Sequence, residues 1–456
     1  MTNTLKQTKA CKAPGPDGVP GRVLRDCALE LGPALQPIFQ ASVDSGTLPA
    51  LWKSSTVVPV PKISKPSELN HYRPVALTSL IMKCFERIIL CKLWPFVSKQ
   101  LDPLQFAYRF RRGTDDAVAC LLHTVLKHID TQGNFVHILF ADLSSAFNTI
   151  QPHIMIKTLQ DMCVPSTLTY WIFSFLSNRS QCVRVGHTLS PYLSSSTGAP
   201  QGCVLSPFLY ILYTNNCRST HPNTLFLKFS DDTAIVSLLQ DSLSLQQYHS
   251  AVQSFSAWCN KNFLQLNVNK TKEMCIDFRR KREHTPPSLL INGVNVERVS
   301  EYKYLGIIID HKLNFNLHTT STQKKCQQRL YVIRRLSSFQ LQPKYLLLLY
   351  RSIIESLLTY CGSCIYPLLS ITNRNKLLKI TRIASKIIGL PTPSLTKLTE
   401  HACLRKALII ERDQDHPLNQ FFECLPSGRR FRCIKCNKKK YRDSFIPQGI
   451  RLLNKL

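Results

Sequence analysis

The stretch 225–238, LFLKFSDDTAIVSL, places Asp231 and Asp232 side by side at a break between two short apolar runs. The runs 225–229 and 233–238 have strand composition, and Ser230, Asp231 and Asp232 are turn formers, so the segment predicts a β-hairpin with acids at its tip. Adjacent carboxylates in an apolar setting repel one another and lose hydration, a cost that a divalent cation offsets. A solvated acidic turn fits the same description, and this segment alone does not separate the two.

Upstream, HILFADLSSAFNTI (137–150) carries an apolar run, 137–141, that delivers Asp142 at a strand end. In-line phosphoryl transfer uses two Mg²⁺ ions about 3.5–4 Å apart, one activating the attacking oxygen and one stabilising the leaving group, held by carboxylates on neighbouring strands. Asp142, Asp231 and Asp232 supply such a set. Between them lies STGAPQGCVLSPFLYILYTN (196–215), where Gly198, Pro200 and Gly202 shape a tight loop around Gln201 and a helical pattern starts near Leu205. Such a loop lets backbone approach a planar ligand closely. The order acid strand, glycine-proline loop, paired-acid hairpin is far more specific than any one part.

In that order the chain resembles the reverse transcriptases of LINE-type (non-LTR) retrotransposons, from about residue 12 to at least 400. KAPGPDGVPGRVL (12–24) and HYRPVALTSLIMKCFERII (71–89) are similar to the family's fingers motifs. LDPLQFAYRFRRGTDDAV (101–118) is similar to its next block, with Ala107 where a glycine is usual. FADLSSAFNTI, GAPQGCVLSPFLY and FSDD resemble motifs A, B and C, and LQLNVNKTKEMCIDF and YKYLGIIID resemble D and E. Ser230 replaces the usual Ala before the acids, and Asn148 replaces an Asp that is not the metal-ligand position.

The resemblance implies an α+β right-hand polymerase, an RNA-directed DNA polymerase that uses two Mg²⁺ ions, with Mn²⁺ as a substitute. Its partners would be an RNA template, a DNA primer and deoxynucleoside triphosphates, with no obligate protein partner evident. Asp142 and Asp231 would be metal ligands, Asp232 completing the cluster. Phe147 would be a steric gate against the ribose 2′-OH, or a core aromatic, or both. Gln201 and Gly202 would line the nucleotide pocket, and Arg73, ahead of Lys62, would reach the triphosphate. Lys270 or Lys272 would protonate the pyrophosphate. The expected organisation is a polar tail at 1–11, fingers and palm at 12–310, a helical thumb-like region at 311–390 and a loosely packed basic extension at 391–456. Family members that act alone carry an endonuclease ahead of the polymerase, so the expectation is a polymerase part of a longer element. The alternatives are a decayed or domesticated nucleic-acid-binding remnant and, more remotely, an RNA-templated RNA polymerase, which the aromatic gate argues against.

Composition agrees with a polyanion partner. Lys+Arg 58 against Asp+Glu 28 leaves a formal net charge of +30, while 44% hydrophobic residues over 456 positions sets the chain apart from ribosomal or histone-like proteins. Basic runs at 279–283, 323–335 and 427–442 concentrate the charge, the last two as expected nucleic-acid contacts. The polar, basic start MTNTLKQTKACK is no cleavable signal peptide, so reduced thiols in nucleus and cytoplasm are expected. Cys433 and Cys436 have metal-ligand spacing, but completing a zinc site with Cys424 and His416 needs irregular gaps, and the segment reads as a basic tail. The apolar stretch 345–369 is broken by Arg351, Glu355 and Pro367, which fits a buried helix rather than a bilayer span. Helices are expected at 240–260, 320–337, 343–360 and 372–388, strands at 264–278 and 302–310, and a loop with a short hairpin at 281–299.

Overall fold

Phe135–Ala141 is buried at all seven positions because it is the middle strand of a five-stranded sheet in the computed structural model, which describes residues 1–144, 146–279 and 288–456. The order is Glu297–Arg298, Lys272–Ile276, Phe135–Ala141, Asp232–Leu239, Thr224–Phe229, antiparallel except at the Glu297–Arg298 edge. A strand covered on both faces reads as a continuous apolar run. One face carries Val136, Ile138 and Phe140 into a core shared with the helix Thr114–Asp130.

The other face holds a buried ionic network. His137 Nδ1 lies 3.0 Å from Glu273 Oε1, Tyr248 donates to that oxygen at 2.9 Å, and Arg298 reaches Glu273 Oε2 at 2.8 Å. Burial opposes both charges, but hydrogen bonds to Cys275 and Glu273 lift His137 to about 9, and His137 with Arg298 draws Glu273 down to about 2. The network ties together the strands on which Asp142 and Lys272 are mounted.

Two compact units interleave along the sequence. One gathers Met1–Asp102, Leu143–Cys217 and Ala257–Leu266, and the other Pro103–Asp142, Arg218–Ser256 and Asn267–Leu456. Packing therefore does not follow the linear division at 310 and 390: the five-stranded sheet and everything from residue 311 onward share the second unit. In the first unit, Ser55–Pro61 pairs antiparallel with Tyr72–Thr78 and parallel with Arg179–Val185. Its helix Leu80–Val97 sets Phe85 flat on Phe39, centroids 4.1 Å apart, and edge-on to Trp171 at 5.0 Å.

The expected helices are found at Ser242–Lys261, Asn316–Ser338 and Ile371–Ile388. Pro343–Tyr350 runs on through a π-helical turn, Arg351–Glu355, into Ser356–Leu358. Among the described residues no helix is long and apolar enough to cross a membrane. Asn292-Gly293 turns the hairpin Leu290–Ile291/Val294–Asn295 with φ of 51° and 78°, the left-handed pair that a two-residue I′ turn demands. The earlier part of that loop, with Pro286 and Pro287, and the basic run 279–283 beyond Arg279 lie outside the described residues.

The C-terminal extension is not loose. Leu395–Glu411 and Phe445–Leu453 pack on one another, and Tyr441, Phe445, Ile446 and Ile450 are buried in the core that contains Thr114–Asp130. A nine-residue amphipathic helix is hard to see beside a run of Lys and Arg, which is why composition suggested a tail.

Candidate active site

The paired acids sit where the hairpin reverses. Thr224–Phe229 and Asp232–Leu239 end on the pair Phe229↔Asp232, leaving Ser230 and Asp231 as the two turn residues. Ser230 is left-handed, φ 59°, which disfavours most L side chains and is held here from outside. Gln105 Oε1 accepts from Ser230 N at 3.1 Å and from Ala107 N at 3.0 Å, while Phe106 N donates to Lys228 O at 2.9 Å. Gln105 was not singled out from sequence; a glutamine flanked by Leu104 and Phe106 ahead of a glycine-bounded helix was the available signal.

Register brings in the third acid. The last pair between the middle strands is Ala141↔Thr233, so Asp142 follows that pair on one strand and Asp232 precedes it on the other, and both acids stand at the same end of the sheet. The backbone of Asp142 is fixed on both sides, accepting from Asn267 N at 2.8 Å and donating to Thr271 Oγ1 at 3.3 Å. Lost hydration, then the charges of Asp231 and Asp142, push Asp232 up to about 6 even though its surface is open. Asp142 is raised as well, by partial burial and by Asp231, with Lys270 pulling the other way.

The two candidate lysines differ. Lys272 Nζ is committed to Glu297 Oε2 and Asn269 O, each at 2.6 Å. Lys270 is exposed and near enough for its charge to act on Asp142. Tyr302, stacked on Phe140 at 4.1 Å, and Tyr304 lie close enough to Asp142 and Asp232, or to Asp232, to be raised by those charges in addition to burial.

The remaining candidates belong to the first unit. Gly198, φ 73°, brings the loop against the backbone of Asn148, where an added Cβ would lie 2.7 Å from the Asn148 carbonyl oxygen; Gly202, φ 116°, approaches Ala76 O to 2.8 Å by the same measure. The glycines were expected to admit a ligand, and what they admit here is the chain's own backbone. Gln201 O accepts from Ala76 N at 2.6 Å, leaving the Gln201 side chain at the loop surface 3.5 Å from Asn148 Oδ1. Half-buried Phe147 lies 4.9 Å from Tyr210, rings tilted by 33°. Arg73 is exposed on Tyr72–Thr78, whereas Lys62 Nζ is bound to Asn70 O at 2.9 Å.

The zinc alternative fails on geometry. His416 uses Nε2 on Asp116 at 3.2 Å and Nδ1 on Leu418 N at 3.1 Å, so neither ring nitrogen is open. Cys361 and Cys364, a pair with the same spacing that escaped the sequence reading, are buried, and burial pushes both thiols up. They behave as small core residues.

A family model described as "Reverse transcriptase (RNA-dependent DNA polymerase)" matches residues 61–309, more than half of the chain. The chain belongs to the reverse transcriptase family. A second model, "Alkylated DNA repair protein alkB homolog 8, N-terminal", matches residues 315–356. The "RNA-directed DNA polymerase from mobile element jockey" of Drosophila melanogaster is 28% identical over 83% of this chain and 42% of its own length. The "Probable RNA-directed DNA polymerase from transposon BS" of the same fly is 27% identical over 75% and 39%. The chain thus spans about two fifths of the length of these relatives. Among solved structures, apo telomerase from Candida Tropicalis is similar over 83% of this chain and 67% of that one, with 11% identity and a TM-score of 0.43.

Reverse transcriptases generally use divalent metals. The donors here fit such an ion: hard carboxylate oxygens, crowded enough for like charges to raise Asp232. Among the described residues no three His, Cys, Asp or Glu side chains are already closed around one metal position. In this chain the mutual repulsion of the acids is what a cation would relieve.

Proposed function

We propose that the chain is an RNA-directed DNA polymerase that extends a DNA primer on an RNA template, as the polymerase part of a non-LTR retrotransposon. The observation that carries this reading is the strand register, ending at Ala141↔Thr233 and Phe229↔Asp232, that brings Asp142, Asp231 and Asp232 to one end of the sheet. In the proposed reaction the primer 3′-hydroxyl loses its proton and attacks the α-phosphorus of a deoxynucleoside triphosphate, and pyrophosphate leaves. Asp142, Asp231 and Asp232 would hold Mg²⁺, or Mn²⁺ in its place, which when bound supplies positive charge to the attacking and leaving oxygens. Lys270 is the better general acid for pyrophosphate, since the Lys272 ammonium is engaged by Glu297. Arg73, Gln201, Gly202 and Phe147 are assigned to the nucleotide on the family's pattern. Purified protein should extend oligo(dT) on poly(rA) with Mg²⁺; absence of extension under conditions where the protein is folded would overturn the reading.

Phe147→Ala or Phe147→Val should raise ribonucleotide incorporation relative to deoxyribonucleotide, by roughly five- to a hundredfold if the ring opposes the 2′-OH by about 1–3 kcal/mol, the range typical of overpacking. Single-nucleotide kinetics with paired ribo- and deoxyribonucleotides measure it. An unchanged sugar preference assigns Phe147 to packing against Tyr210 alone.

The nucleic-acid contacts follow exposure. No Asp or Glu occurs between Asp310 and Glu355, and Lys324, Lys325, Arg334 and Arg335 are exposed on Asn316–Ser338. In the basic run 427–442, Lys438 and Lys440 are structural: Lys438 Nζ donates to Ile129 O, and Lys440 Nζ to Lys312 O and to Asn314 Oδ1. Arg429, Arg430 and Lys439 are exposed. Neutralising those three should lower the slope of log affinity against log salt by roughly 0.7–0.9 per lost phosphate contact. A salt titration of template–primer binding reads the slope, and an unaltered value means that this surface does not touch nucleic acid.

A further inference from the structure

Glu86 is a carboxylate with no surface exposure, in the middle of the apolar helix Leu80–Val97. Its Oε2 accepts from Val204 N at 2.6 Å and from Leu205 N at 2.8 Å, immediately before the helix Ser206–Tyr213 begins. Those two amides close the same loop whose other side is fastened to Tyr72–Thr78 through Ala76 N and Gln201 O. The loop is therefore fixed at both flanks of Gly202, by a neutral backbone bond before it and by a buried acid after it.

We propose that Glu86 is a positioning residue: through Val204 and Leu205 it sets the placement of the Gln201-Gly202 segment and hence the affinity for the incoming nucleotide. The inference rests on the polymerase reading above. Burial is the main influence on the carboxyl and raises it, the two backbone amides, Lys83 and Cys203 oppose the rise, and the outcome is about 7. Lys83 is the cation one turn away on the same helix, and the Cys203 thiol, itself near Arg179 and Thr78, is pushed far up by burial and by Glu86. Glu86 is thus placed to change charge near neutral pH. The sign follows. A carboxyl raised in the folded state makes the fold less stable as pH rises through the ordinary value toward about 7, so the ionised acid is held at a cost in stability. An acceptor retained at such a cost points to a role other than stability.

The test uses the full chain, an RNA template with a DNA primer, and Glu86→Gln beside the wild type. In single-nucleotide incorporation the wild-type KM should climb as pH falls through about 7, because protonation removes the charge that grips the two amides. Glu86→Gln should have KM raised about tenfold at pH 8, with kcat within about twofold and a flattened pH profile. Its thermal midpoint at pH 8 should be no lower than wild type. Hydrogen exchange at the Val204 and Leu205 amides, which needs no catalysis, should quicken selectively in the variant. A variant that keeps the wild-type KM at every pH, or whose two amides exchange as slowly as wild type, overturns the proposal, and so does one that loses stability with KM unmoved. If the wild type extends no primer, the polymerase reading falls, and amide exchange alone still decides whether Glu86 holds the loop.

Discussion

Asp231→Asn and Asp142→Asn, each made alone, are expected to abolish primer extension while leaving template binding intact. Both side chains lie at the end of the middle strands, one in the hairpin turn and one at the next register step. Neither is a core residue whose loss would unfold the sheet. If these acids hold the metal as proposed, replacing a carboxylate by an amide removes a ligand and the neutralisation of charge that develops during transfer, an effect of at least about a hundred- to a thousandfold. It also removes repulsion at Asp232, whose carboxyl is raised by both neighbours. The variants should therefore melt no lower than wild type, and Asp232 should titrate nearer its ordinary value. Extension assays at saturating nucleotide, with template binding measured in parallel, decide the matter. Near wild-type extension by either variant would remove that acid from the reaction.

The second large effect concerns residues 427–456. If this segment were a basic appendage, its deletion would weaken RNA affinity and spare the chemistry. The structure calls for a different outcome. Tyr441, Phe445, Ile446, Ile450 and Leu453 are all at most 7% exposed. Each large apolar side chain taken from water contributes about 1.5–3 kcal/mol, so five of them rival the roughly 5–15 kcal/mol net stability of a whole protein. Anchoring bonds go with them: Asn437 N and Lys438 N donate to the Asp130 carboxylate at 2.8 and 2.7 Å. The deletion should yield insoluble or unfolded protein, seen as loss of cooperative melting. A truncated chain that melts like wild type would show that this packing contributes little.

The hairpin and the strand end that carry the three acids were legible because their pattern is local. An apolar run ending in Asp142 and a turn carrying Asp231 and Asp232 are visible as strings of residues, and strand pairing did the rest. The helices at 316–338 and 371–388 were legible from long apolar periodicity. What escaped depends on partners distant in sequence. Gln105 matters only because Ser230 is left-handed 125 residues later, and Glu86 only because the amides it accepts lie 118 and 119 residues on. That Lys272 is engaged by Glu297 while Lys270 is exposed also depends on a partner 25 residues away. The interleaving of the two units could not be read from a linear pattern, since each is assembled from three separated stretches.

Asp116 caps its own helix through Gly113 N at 2.7 Å and is held by Lys406 Nζ at 3.0 Å and His416 Nε2 at 3.2 Å, partners up to 300 residues further along. During translation, the side of Thr114–Asp130 that packs against Phe445–Leu453 stays uncovered until nearly the whole of the remaining chain has been made. Contacts of such long sequence separation close slowly and leave apolar surface transiently exposed. A stop codon within 427–456, far downstream of Asp142, Asp231 and Asp232, is therefore expected to cost the protein its fold.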